Sequence, residues 1–145
     1  MVNNYYELFV KVGRNKYTIN SNQEIDTNYL EKYVKIVNIS DDLEETTSNK
    51  ITIFNDNTFN GERKEIKIAI KDFISKSEIE DDYELKFIKL HLCKITKDIY
   101  QYKKSIKLYN DNIDDFFSQP IQVYSNIQNG YGIFGGSIAK SHRIF

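Results

Sequence analysis

Tyr83-Glu-Leu-Lys-Phe-Ile-Lys-Leu-His-Leu-Cys-Lys-Ile95 keeps a period of two along its whole length, and the reading of this run decides the fold. On an extended chain Leu85, Phe87, His91, Cys93 and Ile95 fall on one side, and Ile88, Leu90 and Leu92 on the other. Apolar residues on both faces predict a central strand, covered twice and the longest of the chain. The period then changes. Thr96 suits an N-cap, Asp98 suits a first turn, and Ile99, Tyr102, Ile106 and Tyr109 recur at helical spacing. A helix is predicted over 97–109, with Lys103, Lys104 and Lys107 on its outer face.

Upstream, shorter runs repeat the strand pattern. Tyr6, Leu8, Val10 and Val12 alternate with Tyr5, Glu7, Phe9 and Lys11. Gly13-Arg-Asn15 reads as a turn, Lys16–Ile19 as a returning strand, and the polar run Asn20–Asn28 as a break in regular structure. Tyr33–Ile39 is rich in β-branched residues and reads as a strand, although Leu30, Tyr33, Val34 and Val37 also stand at helical spacing. Ser40–Lys50 reads as solvated loop, Ile51–Phe54 as a short strand and Asn55–Gly61 as a turn. A strand over 63–71 would turn Ile66, Ile68 and Ile70 to one side, with Phe73 and Ile74 tucked behind it.

Downstream of the helix, Phe116-Phe117 reads as a plug in the core. The segment 118–136 then collects the only proline and most of the glycines. Pro120 biases Gln119 to an extended conformation, and Asn129-Gly130 is the strongest turn dipeptide of the chain. Gly130 is expected to resist substitution, and Gly135 or Gly136 to mark a close approach to neighbouring backbone, before a final strand through Ile138. The 145 residues suit one domain, 1–145, with a single core. The expected fold is mainly β: an antiparallel β-sandwich of about seven strands in two packed sheets, with the helix 97–109 covering one open side.

The run Gln119-Pro-Ile-Gln-Val-Tyr-Ser-Asn-Ile-Gln-Asn-Gly-Tyr-Gly-Ile-Phe-Gly-Gly136 resembles the C-terminal signature of a Bacteroidota envelope lipoprotein family, domain of unknown function 4249. Asp98-Ile-Tyr-Gln-Tyr-Lys-Lys-Ser-Ile106 is similar to the family's helix, Phe54-Asn-Asp-Asn-Thr-Phe-Asn-Gly61 to one of its turns, and Asn4-Tyr-Tyr-Glu-Leu8 to its opening strand. The resemblance implies the C-terminal domain of a cell-surface lipoprotein, with an immunoglobulin-like domain ahead of it, encoded beside TonB-dependent receptors. It thus implies the outer membrane surface as location and an outer-membrane protein as partner. The chain shows no hydrophobic signal segment and no cysteine near Met1, so the expectation is of that domain alone, from a split reading frame or a truncated relative.

Lysine plus arginine (20) nearly balances aspartate plus glutamate (21), which leaves no basic excess for a phosphate backbone, so no nucleic-acid partner is expected. No apolar run reaches the roughly 20 residues of a membrane span, and no direct insertion is expected. Cys93 is the only cysteine, which excludes an intrachain disulfide. The turns Asn55–Gly61 and Asn110–Asp115 carry many oxygens but not the register of a calcium loop, and read as Asx-turns and a helix end. His91 and Cys93 share a strand face without a third group to orient them, so no catalytic residue, metal or cofactor is assigned. Tyr124, Asn126 and Tyr131 flank the turn that the residues specify most firmly and are the binding candidates: two aromatic anchors and one directional hydrogen bond. The expected function is a non-catalytic binding or scaffold domain. The alternatives are a hydrolase or carbohydrate-active domain using loop carboxylates, and a cytosolic remnant.

Overall fold

The computed structural model describes residues 3–38, 45–48, 50–71, 83–113 and 120–145. In chain order they form β1 (Tyr5–Ile19), β2 (Ile25–Asn38), β3 (Glu45–Ser48), β4 (Ile51–Asn55), β5 (Ile68–Lys71), β6 (Tyr83–Ile95), α1 (Lys97–Asn112) and β7 (Ser137–Arg143). Every strand pairing is antiparallel, as expected. The organising strand is β1 rather than β6. One edge of β1 pairs with β6 from Tyr5 to Lys16; the other pairs with β4 from Tyr5 to Phe9 and with β2 from Val10 to Ile19. Where β4 takes over that edge, β2 leaves it, and Lys35–Asn38 pairs with β5 to form the second, smaller layer of the sandwich.

Alternation along β1 then builds two cores, one on each face. Leu8, Val10 and Val12 pack with Val34, Ile36 and Phe54, and Ile66, Ile68 and Ile70 close over them. Val10 and Val12 are 0% exposed, the best-buried positions of the described chain. On the opposite face Ile53, Cys93, Ile95 and Tyr100 form a second cluster with Tyr5, Phe9, Ile51 and Ile99, so the helix packs on the Tyr5–Phe9 side. Burying each such side chain contributes roughly 1.5–3 kcal/mol, and β1 alone spends its residues on both clusters.

Several sequence expectations are corrected. Gly13-Arg-Asn15 is no turn: β1 runs straight through it for 15 residues. A Cβ on Gly13 would lie 2.7 Å from Phe87 Cζ, so the glycine is there to let the ring lie across the backbone. Opposite, the register steps from Gly13↔Phe87 to Arg14↔Leu85, leaving Lys86 as a bulge. The bulge reverses the alternation, so Leu85 joins Ile88 and Leu90 on the first core instead of staying with Phe87.

The real turn is Asn20–Glu24, where Asn20 Oδ1 accepts from the Asn22 and Glu24 amides and Gln23 has φ 62°. β2 therefore starts at Ile25, inside the run expected to be irregular. Its polar composition misled because this ribbon projects beyond the core and leaves 21–31 exposed. Part of the expected loop Ser40–Lys50 is a strand, β3, paired with β4. β5 covers only the end of the strand expected over 63–71, and β7 begins where the last strand was expected to finish. Phe73, Ile74, Phe116 and Phe117 lie outside the described residues.

α1 runs three residues beyond its expected end and is rotated relative to the expected stripe. Tyr100 is its buried residue and Tyr109 is exposed. Lys103, expected in water, faces the sheet and forms a 2.6 Å ion pair with the buried Glu7 of β1. A carboxylate on a covered strand face needs a cation, and Lys103 is the one the helix brings to it. Thr96 has the extended backbone of an N-cap but makes no side-chain capping hydrogen bond.

Candidate functional site

After Pro120 the chain recrosses α1 and forms a loop over 123–134 that contains all three candidate residues. The helix holds its entry. The Tyr124 amide donates to Ser105 Oγ (2.8 Å), and the Tyr124 hydroxyl donates to Asp98 Oδ1 (2.5 Å). That acceptor raises the Tyr124 phenol above its ordinary pKa, with partial burial adding to the effect. Tyr124 is therefore half-buried and pinned along the helix, with part of its ring facing outward.

The loop closes on two side chains. Ser125 Oγ accepts from the Ile127 and Gly132 amides (3.3 and 3.2 Å) and donates to the Gly130 carbonyl (3.3 Å). Asn126 presents its amide as a strand would present a peptide: Nδ2 donates to the Phe134 carbonyl (2.7 Å) and Oδ1 accepts from the Phe134 amide (2.8 Å). The directional hydrogen bonds expected of Asn126 are thus made within the loop. Asn129, at φ 57°, takes the left-handed turn position, and Gly132, at φ 143°, occupies the one loop position here that excludes a side chain on backbone grounds. Gly130 has no positive φ; a Cβ there would meet only Ile127 Cγ2, at 3.2 Å. The expected close approach is real at Gly135, but against side chains: its Cβ would fall 2.6 Å from both Thr96 Oγ1 and Ile99 Cγ1.

With Ser125 and Asn126 bonded within it, the loop turns two of its aromatic side chains outward. Tyr131 is 100% exposed and Phe134 is 81% exposed. Between loop and helix lies a cleft of about 180 Å³, lined by Tyr102, Val123, Tyr124, Ser125, Tyr131 and Gly132. Chemically this is an exposed aromatic surface on a hydrogen-bonded loop, with a shallow recess beside it. Phe134, which the sequence reading did not take as a binding candidate, is the second strongly exposed ring of this loop. The signal for it was present, since an aromatic between glycines at the end of a clamped loop has little to pack against.

Elsewhere, His91 stacks on Phe9 at 4.8 Å and 11°, and its Nε2 is buried without a hydrogen-bond partner among the described residues. Burial lowers its pKa, and Lys11 and Lys89 lower it further against the opposing pull of Glu31. Burial pushes the Cys93 thiol up, as does Glu7, against Lys103. Both shifts oppose a thiolate–imidazolium pair. The oxygens of the turn at Asn55–Gly61 are engaged by protein hydrogen bonds, one local and two from the start of the chain. Asn55 Oδ1 accepts from the Asn57 amide, and both Asp56 carboxylate oxygens are held by Asn4, at 2.7 and 2.6 Å. Of the second oxygen-rich turn, Asn110–Asn112 is helical and Asp114-Asp115 lies outside the described residues. Among the described residues no cluster of three His, Cys, Asp or Glu side chains is placed to hold a metal, and no helix is long and apolar enough to cross a membrane.

A family model described as Domain of unknown function (DUF4249) matches residues 2–143. No curated protein and no solved structure matches the chain.

Proposed function

We propose, since the chain belongs to the DUF4249 family, that it is a non-catalytic binding module of the bacterial cell envelope, docking a protein partner through the 123–134 loop. The observation that carries this reading is Tyr131, wholly exposed on a loop whose backbone is held by Ser125 and Asn126. An aromatic ring that stays in water on a rigid support loses little entropy on binding and gains contact area, which is the physics of an interface hot spot. Tyr131 and Phe134 are the anchors in this proposal. Tyr124 forms the wall of the adjoining recess, and Asn126 shapes the loop. By the family resemblance the partner is an outer-membrane protein of the TonB-dependent receptor class, and the domain works at the outer membrane surface.

The test is site-specific photocrosslinking in the native host. A photoreactive phenylalanine at position 131 should give a discrete adduct with one envelope protein, and the same probe at exposed Lys104 should not. Adducts of equal yield from both positions, or none from 131, would reject the loop as the docking surface. Finding the chain wholly in the cytosolic fraction would reject the location and, with it, this partner.

A further inference from the structure

β7 pairs with β6 and, among the described residues, with no other strand. Among the described residues its second edge meets no strand, and every residue from Ser137 to Arg143 is exposed. The ladder fixes which peptide groups point outward. The Thr96 amide donates to the Gly136 carbonyl (3.1 Å) and the Ile144 amide donates to the Ile88 carbonyl (2.8 Å), so even-numbered residues face β6. By the alternation of an antiparallel pair, Ser137, Ala139, Ser141 and Arg143 present their N–H and C=O groups to the open side.

Three of these four side chains are small, and nothing on them shields the backbone. On the other face of the strand stand Ile138, 77% exposed, and then Lys140 and His142. Lys94 is the cross-strand neighbour of Ile138, and β7 itself holds no acidic residue. The surface is cationic in a chain whose net charge is −1.

We infer that the open edge of β7 is a strand-addition site for an extended acidic segment of another protein. The segment sets an apolar side chain over Ile138 and carboxylates beside Lys140 and Lys94. Main-chain hydrogen bonds supply the affinity in this mode, and alternate side chains supply the choice of partner. Charge decides against a second copy of this chain, because antiparallel pairing of two β7 strands about their centre would set Lys140 of one directly opposite Lys140 of the other. The site is separate from the aromatic loop and does not depend on it.

The experiment is residue-resolved amide hydrogen exchange on the full chain, with two short capped peptides as probes, each carrying threonine at every second position and, on the other face, valine followed by glutamates in one peptide and by lysines in the other. The glutamate peptide should slow the amides of Ser137, Ala139, Ser141 and Arg143 by about tenfold or more, while the lysine peptide leaves them unchanged. Ala139→Pro removes one outward N–H and no bond to β6, so it should fold with unaltered melting and lose this protection. Lys140→Glu should reverse the preference between the peptides. Protection by neither peptide, or equally by both, overturns the proposal. Protection that grows with protein concentration in the absence of peptide overturns it in favour of self-pairing.

Discussion

Gly13 has no room for a β-carbon while Phe87 lies across it, and this makes a coupling that can be measured. Gly13→Ala should destabilise by roughly 1–3 kcal/mol in chemical denaturation, as overpacking does. In a Phe87→Ala background the same change should be near neutral, and equal costs in both backgrounds would show that the ring is not the obstacle. In the loop, Gly132→Ala meets a left-handed backbone and should cost about 1 kcal/mol or more, whereas Gly130→Ala should stay within about 0.5 kcal/mol. His91 supplies the pH dependence. Its folded pKa is depressed, so the unfolded chain takes up the proton first and stability falls as pH drops below the ordinary histidine value of about 6.5. His91→Gln should flatten the slope of unfolding free energy between about pH 7 and pH 5. A slope unchanged in the variant would assign the acid sensitivity to other groups.

At the scale of elements, α1 is held by Tyr100 in the second core and by Lys103 on Glu7. Tyr100→Ala removes a buried ring and should cost about 3 kcal/mol, while Tyr109→Ala, on the expected but exposed stripe, should cost less than about 0.5 kcal/mol. Lys103→Ala leaves a largely buried carboxylate without its cation and should cost roughly 1–3 kcal/mol; Lys104→Ala should be silent. Matched thermal melts of the two lysine variants decide between the observed rotation of the helix and the one its own periodicity predicts. The periodicity failed here because it counted lysine as outward by type. Glu7, sitting between Tyr5 and Phe9 on a strand face that had to be covered, was the local sign that one helical lysine would point inward.

For the molecule as a whole, the division of β1 into a core half and a projecting half sets where it opens first. Amides of Leu8–Val12 lie at the junction of both clusters and should exchange only through global unfolding. Those of Thr18–Asp26, on the exposed end of the β1–β2 ribbon, should exchange through local opening with lower free energy. Uniform protection along β1 would contradict the picture of a ribbon leaving a core. The 123–134 loop lies at the other end of the chain but leans on the same scaffold, through Tyr124 on Asp98 and Gly135 on the first turn of α1. Changes that loosen the helix should therefore also disturb the presentation of Tyr131.

Taken alone, the residues determined the class of this protein and its strongest elements. Period-two alternation in Tyr5–Val12 and Tyr83–Ile95, and the switch to helical spacing after Thr96, follow from side-chain direction along a single element, which needs no knowledge of neighbours. They also marked the 118–136 segment as turn-rich and locally restricted, because proline, glycine and asparagine restrict the backbone locally. Tertiary structure alone decided the rest. Whether Gly13 turns or passes beneath a ring depends on Phe87, about 70 residues away, a distance at which sequence pattern carries no information. Whether Asn126 meets a partner or closes its own loop depends on where Phe134 places its peptide. Which tyrosine is free depends on Asp98 having claimed the other. In each case the deciding partner is distant in sequence or set by the path of the folded backbone, and only the fold puts the two within reach of a hydrogen bond or a van der Waals contact.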